Sequence, residues 1–488
     1  MRRSFIFCAL AALDVGVATA QASSAPLRAL PYTRFVLPNG LTAILNADHA
    51  SPIAAVDVFY RIGFRDDKPG RFGMAHLCEH VMAEGSPNMK QPQSTFYRSL
   101  GGTSRRFAET SEDITHYYVS VPSHQLETVL WTEGDRLRHA LSRADSATLA
   151  AIRPVVAQER ANFENAPLEV AGSRSAVWFA LFPEGHPYNN AAQSPLSDLA
   201  NVTPADVKDA CGPYYVPNNA VIAVSGDFDP AIARRWIEKY FGDIPRAAPV
   251  QRVSVGASSL SAEKRLVVED ARQTVPTLRM VWPGAAYDNP DRAALLALAS
   301  CLSLARVASD GHFASVGVAP PTALGRLSKL LVQDRQLATR VMAENYDVQH
   351  AGIFEIEIHP RPNVALTTIE TLVDSVLASI ASQPVTKEEL ALYNGYNAVH
   401  LATSLQPRPA RADTLAHDEV FAGDPAAYVQ QAMRARSLTP ADIERVRRKY
   451  LGAGRIVMSL VPAGKLELVS KPELPYTNAT PPYATRSR

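Results

Sequence analysis

Apolar positions recur along the chain in two rhythms. Residues 54–60 form a short, nearly continuous apolar run of strand length. The segment TRFVLPNGLTAILN sets Asn39-Gly40 between two strand-like runs, which predicts a hairpin turn. Helical spacing covers residues 73–83, 126–140 and 146–162. Residues 219–225 read as a buried strand, and residues 232–241 as a helix closing at Gly242. Further on, the same order of elements returns. A strand at 277–282 leads to an apolar helix after Asp288-Asn289-Pro290. A helix at 324–343, a strand at 352–359, long helices and a final strand at 454–461 follow. Strands and helices mix without strict alternation. That predicts an α+β chain of two similar sandwich domains, at 30–245 and 264–470, rather than a doubly wound sheet. Residues 246–263 lack a helical period and read as a linker, and residues 471–488 as an extended tail.

Composition narrows the class. With 47% hydrophobic and 20% charged residues, the 488-residue chain is a globular protein rather than a disordered one. Lys+Arg number 49 and Asp+Glu 48, so no global charge or basic tract points to nucleic acid. The N-terminus is distinctive. Arg2 and Arg3 precede an apolar stretch to Ala20, and Ala18-Thr19-Ala20 and Ala20-Gln21-Ala22 are small-x-small cleavage sites. Residues 1–22 are therefore expected to be a secretory signal peptide, and the protein to be exported, periplasmic in a bacterium. Asp14 interrupts a run already short of the ~20 apolar residues that a membrane span needs, so no membrane association is expected after cleavage. Export leaves Cys78, Cys211 and Cys301, enough for one bridge and not for a disulfide framework.

The sharpest chemical signal is Gly73-Met74-Ala75-His76-Leu77-Cys78-Glu79-His80. Four residues apart on a helix, His76 and His80 share one face and can grip one Zn²⁺. Glu79 lies beside that face, placed to take a proton from water activated by the metal. The pattern H-x-x-E-H marks the inverzincins. Cys78, two residues from each histidine, points to the opposite side and reads as a small core residue, not a ligand. A catalytic zinc needs a third protein ligand and an open position. Glu159 is a candidate, although helical periodicity alone does not single it out.

These pieces resemble the pitrilysin/insulinase-type metallopeptidases, over nearly the whole chain after the signal peptide. The matching segments are PNGLTAIL, GMAHLCEHVMAEGS, residues 101–122, VVAQER, His186-Pro187-Tyr188, YYVPNNAVIAVSGDFD and EKYFGDIP, with looser matches in the second half. The resemblance implies one Zn²⁺ per chain held by His76, His80 and Glu159, with Glu79 as general base. It also implies a substrate-binding edge strand around Phe107, Ala108, Glu109 and Thr110, to which a peptide adds by backbone hydrogen bonds.

Two departures qualify the resemblance. Phe107 stands where the family usually has Asn. Val332 and Thr339 stand where active single-chain relatives carry an Arg and a Tyr, the type of donor that stabilises an oxyanion. Relatives assemble four such domains as a clamshell, in one long chain or two shorter ones, so the resemblance implies that this chain forms half of one. The expectation is a zinc endopeptidase acting on short or unfolded peptides as one subunit of a heterodimer, its partner carrying the Arg/Tyr pair. A self-sufficient homodimer and a non-catalytic peptide-binding scaffold of the same fold are the alternatives.

Overall fold

The computed structural model describes residues 28–479, apart from residues 105, 166–171, 191–195, 253, 254, 257 and 304–324. The expected signal peptide lies outside the described residues. The chain forms two six-stranded sheets. The first contains β1 (Thr33–Val36), β2 (Thr42–Ala47), β3 (Ile53–Tyr60), β4 (Ala108–Thr110), β5 (Thr115–Pro122) and β6 (Ala220–Gly226), in the order β1-β2-β6-β3-β5-β4. The second contains β7 (Lys264–Asp270), β8 (Thr277–Gly284), β9 (Ala338–Asp347), β10 (Gly352–Pro360), β11 (Ile456–Pro462) and β12 (Thr477–Asn478), in the order β12-β7-β11-β8-β10-β9. From β2 to β6 and from β7 to β11 the two sheets have one topology, each with one parallel pair (β2 with β6, β7 with β11). Only the outermost strands break the repeat, β1 pairing antiparallel and β12 parallel. Gly40, at φ +93°, makes the β1–β2 turn; a Cβ there would lie 2.7 Å from the Cβ of Asn218.

Helices cover both faces of each sheet, and each sheet borrows one of them. On the first sheet, Ala43, Leu45, Val56, Val58, Ile222 and Val224 face α1 (Met74–Ala83), α2 (Leu126–Arg138) and α3 (Ser146–Asn165). Alternate residues on the same strands, Ile44, Ala55, Phe59, Val221 and Ala223, face outward. Other helices include, in sequence order, α4 (Gly172–Leu181), α5 (Pro204–Cys211), α6 (Arg292–Ser303), α7 (Leu366–Ser379), α8 (Arg408–Ala422) and α9 (Pro440–Tyr450). The second sheet packs one face on α6, α7 and α9. The outward face of the first sheet is covered by Ala412, Leu415, Ala416 and Val420 of α8, from the second half. In return, Ala176, Val177, Trp178 and Leu181 of α4, from the first half, cover Val281, Ile353, Ile456 and Met458 of the second sheet. Strands apolar on both sides read as continuous runs, which is why residues 54–60 show little alternation.

Three expectations need correction. Residues 324–343 are not one helix. A short helical segment, Arg326–Ser328 and Lys329–Asp334, ends near Gln336 at φ +51°, and residues 338–347 pair with β10 as β9. Cross-strand pairing along β10 overrides the helix-like spacing of the local apolar residues. The edge strand expected around Phe107 to Thr110 is shorter, β4 at Ala108–Thr110, with Phe107 in the loop before it and a turn at 111–114 leading to β5. Finally, β11 is not the last strand, since Thr477–Asn478 of the expected tail adds to β7.

Trp178 is almost fully buried against the other half's sheet. Trp178→Ala should cost about 3–5 kcal/mol and loosen the second half although the residue belongs to the first. Limited proteolysis should then cut within residues 264–479 sooner than in the unaltered chain. Unchanged cleavage there would mean that the exchanged helix does not brace that sheet.

Candidate active site

The H-x-x-E-H segment lies on α1, as its spacing predicts. Gly73 precedes the helix at φ +87°, a conformation that favours glycine. The buried carboxylate of Asp67 closes the helix start, accepting from the amides of Gly73 (2.7 Å) and Ala75 (2.8 Å). Those donors stabilise its charged form and burial opposes it; burial prevails and pushes the carboxyl up to about 8. The opposite side of α1 is covalently fixed. Cys78 forms a disulfide with Cys211 at the end of α5, the Cα atoms 6.2 Å apart and both residues fully buried. Cys78 is thus more than the small core residue expected from sequence; it ties α1 to α5. Cys301 is a buried free thiol.

The exposed side of α1 meets α3. His80 Nε2 lies 3.2 Å from His76 Nε2 and 3.1 Å from Glu159 Oε2, and His76 Nε2 lies 3.3 Å from the same oxygen. Three donor atoms therefore form a nearly equilateral triangle. A tetrahedral Zn²⁺ with bonds of about 2.0–2.1 Å holds its ligands about 3.3 Å apart. Two imidazoles and one carboxylate at this spacing fit such an ion and leave a fourth position open. The imidazoles hold the Glu159 carboxyl far below the usual carboxylate range by hydrogen bonding. Burial works against a charge on His80, but its hydrogen bond to Glu159 and the nearby Glu79, Glu159 and Glu84 carboxylates prevail and raise its pKa. Glu159 is half-exposed, so the triangle opens to solvent.

Glu79 is not part of the triangle. Its Oε2 accepts from Thr110 Oγ1 at 2.6 Å, and its backbone carbonyl accepts from Tyr117 Oη at 3.2 Å. Below it, the Arg136 guanidinium stacks over the Tyr117 ring, 3.6 Å from its centre, and pairs with Glu133. Glu133 in turn accepts from Tyr97 and Gln93. Sequence reasoning missed Asp67, Tyr117 and Arg136, whose roles depend on contacts that no local pattern announces.

The expected substrate strand changes in detail. β4 is the outermost strand of its sheet. The amide of Tyr118 donates to the carbonyl of Phe107 (2.9 Å), and the amide of Ser111 to that of Ile114 (2.8 Å). In an antiparallel pair, alternate residues turn their backbone groups inward. Residues 107, 109 and 111 therefore face β5, and Ala108 and Thr110 turn their N–H and C=O to the open side. Phe107, at φ +74°, has a buried ring under the Arg98 guanidinium, and its amide donates to Ser104 Oγ. It does not belong to the open edge. Neither does Glu109, which pairs with His116 and directs its side chain to the face under α8. Ala108 and Thr110 remain of the expected four.

The turn that follows β4 is held from both halves. Asp113 Oδ1 pairs with Arg65 (2.7 Å) and accepts from Tyr188 Oη (2.8 Å), and Asp113 Oδ2 accepts from the Gln349 amide (2.8 Å). Arg65 also donates to Gln349 Oε1 at 2.9 Å. At the two departures in the second half, Val332 packs against the local core, and the Thr339 hydroxyl donates to the His359 carbonyl at 3.1 Å.

Residues 42–185 match the family model "Insulinase (Peptidase family M16)", and residues 201–393 match "Peptidase M16 inactive domain". A zinc protease, PqqE, of Helicobacter pylori is 24% identical over 365 residues, 72% of this chain and 76% of that protein. Among solved structures, a protease from Helicobacter pylori superposes with a TM-score of 0.76 at 21% identity, covering 88% of this chain and 99% of that one. The first half of the periplasmic protease PqqL from Escherichia coli gives 0.71 at 16% identity, covering 88% and 92%.

His80→Ala should reduce bound zinc, measured by atomic absorption after dialysis, to a small fraction of one ion per chain. Circular dichroism should be unchanged, because the fold is fixed elsewhere. Full occupancy in this variant would remove His80 from the donor set.

Proposed function

Because this chain carries peptidase domains of the insulinase (M16) family, we propose that it is a zinc-dependent endopeptidase that hydrolyses short or unfolded peptides. The observation that carries the reading is the donor triangle of His76, His80 and Glu159, with Glu79 and an open strand edge beside it. The similarity to a protein named as a zinc protease supports the same metal. A zinc ion bound there supplies a Lewis acid that polarises a carbonyl and acidifies water.

The chain's own residues do the rest. Ala108 and Thr110 present backbone donors and acceptors to an extended peptide, which adds to the sheet as a further strand. Such pairing reads backbone, so it favours segments that are already unfolded. Glu79 takes the proton from the attacking water and returns it to the leaving amine. Glu159 completes the donor set as a carboxylate, which the two imidazoles favour.

The reading extends to a heterodimer. Val332 is an alkyl group, and the single hydroxyl hydrogen of Thr339 is given to His359. Neither offers the donors that would hold a developing oxyanion, and the likeness to the first half of PqqL suits a chain that forms half of an enclosure. A second chain of the same fold supplies the missing donors. Export to an oxidising compartment accords with the N-terminal pattern and with the Cys78–Cys211 bridge. No helix among the described residues is long and apolar enough to cross a membrane.

Glu79→Gln keeps the side chain's size but cannot accept a proton. It should retain zinc and lower peptide turnover by roughly 10²–10⁴-fold; turnover at the unaltered rate would exclude Glu79 as base. A mixing assay tests the subunit reading. The isolated chain should hydrolyse a fluorogenic peptide slowly, and addition of a similar-length exported chain bearing the Arg/Tyr pair should raise the rate at least tenfold. Rapid hydrolysis by the isolated chain, unaffected by the addition, would favour a self-sufficient enzyme. No hydrolysis in any mixture would favour a binding scaffold.

A further inference from the structure

We propose that Thr110 is a positioning residue that couples the substrate edge to the base, its hydroxyl fixing the Glu79 carboxylate while its backbone holds the peptide. The inference rests on the reading of Glu79 as base. Thr110 is the one residue of β4 that does both. Its N–H and C=O turn to the open side of the strand, by the alternation that the Phe107–Tyr118 and Ser111–Ile114 bonds establish. Its side chain turns to α1 and donates to Glu79 Oε2 at 2.6 Å.

The direction of that hydrogen bond follows from its neighbours. Thr110 Oγ1 also lies 3.1 Å from Thr115 Oγ1, and a hydroxyl has only one hydrogen to give. Thr115 donates its own to the carbonyl of Ile62 at 3.0 Å. A carboxylate oxygen at 2.6 Å is a closer and stronger acceptor than a hydroxyl at 3.1 Å, so the Thr110 hydrogen goes to Glu79. One carboxylate oxygen is thereby occupied and Oε1 is left to receive the proton from water. The carboxylate stands on a helix whose other side is fixed by Cys78–Cys211, and Tyr117 holds the Glu79 carbonyl. The Thr110 contact is thus the link between the base and the strand to which the substrate itself pairs. A β-branched side chain suits this role, because its χ1 is restricted by the backbone it stands on. When a peptide pairs with the backbone of Thr110, the side chain of the same residue sets the carboxylate.

The arrangement distinguishes the hydroxyl from the strand. Thr110→Val keeps shape and β-branching and removes only the donor; Thr110→Ser keeps the donor and removes the methyl. Each is compared with the unaltered protein as the full exported chain loaded with zinc, together with its partner subunit if turnover needs one. With a fluorogenic peptide, Thr110→Val should lower kcat roughly 10–100-fold, the scale of losing a hydrogen bond to a charged group, with KM within about twofold. Thr110→Ser should recover most of kcat. In the Glu79→Gln background, Thr110→Val should add no further loss. Two readouts do not need turnover. Zinc content and the affinity of a fluorescein-labelled unstructured peptide should be the same in all three proteins. A crystal structure of Thr110→Val should show the Glu79 side chain turned or in several rotamers, against one in Thr110→Ser.

Unaltered kcat in Thr110→Val would overturn the proposal, as would Thr110→Ser behaving like Thr110→Val. Weaker peptide binding in proportion to lost turnover would assign the hydroxyl to the substrate instead. An unmoved Glu79 in the Thr110→Val crystal would overturn it too. Failure of the underlying reading is separable, since it would appear as an active Glu79→Gln variant whatever residue 110 is.

Discussion

Three donor atoms from residues 76, 80 and 159 have to come within 3.3 Å of one another, and the architecture around them is arranged to make that meeting repeatable. Two of the atoms come from one helix, where the i, i+4 relation brings them together at no tertiary cost. The third comes from α3, seventy-nine residues after His80. Bringing two imidazoles and a carboxylate together is favourable only while their protons or a cation balance the lone pairs, so the helices must be held in place by other contacts. Asp67 does this at the start of α1, the Cys78–Cys211 bridge at its back, and Tyr117 with Arg136 beneath Glu79. None of these contacts uses the donor face, which stays open to solvent and to an incoming chain.

The second half contributes no donor to this triangle, yet the site depends on it. Its helix α8 covers the outward face of the sheet that carries β3, β5 and β6, while α4 returns the favour to the other sheet. Each half would expose an apolar sheet face without the other. The turn after β4 is pinned between Arg65, Tyr188 and the backbone of Gln349, which belongs to the second half. A three-residue edge strand has little pairing of its own to define it. Its position beside Glu79 therefore depends in part on the contact between the halves. This gives the repeat topology a use: one unit carries the candidate chemistry, and the other sets the geometry of its edge.

Much of this was written in the chain in local form. Asn39-Gly40 encodes its turn through backbone preference, and the His76/His80 pair encodes its shared face through helical period, so both are legible without any tertiary context. Strand positions at 53–60, 220–226 and 277–284 follow from runs of apolar residues that only a doubly covered sheet can bury. The two-unit organisation follows from the recurrence of such runs. The exception is residues 338–343 of the expected 324–343 helix, where the local spacing suits a helix and the neighbours supply a strand. Pairing with β10 brings backbone hydrogen bonds that a helix there could match only by giving up the sheet.

The sequence by itself determined the motif, its helix and the chemistry of its side chains, because these depend on neighbours within a turn or two. Only the tertiary structure decided which residues of the edge are turned outward, since register fixes this and one residue of slip reverses it. It removed Phe107 and Glu109 from that edge and left Ala108 and Thr110. It also decided that Cys78 is bridged and that Thr110 meets Glu79, because each contact joins segments whose separation in sequence carries no information about their separation in space.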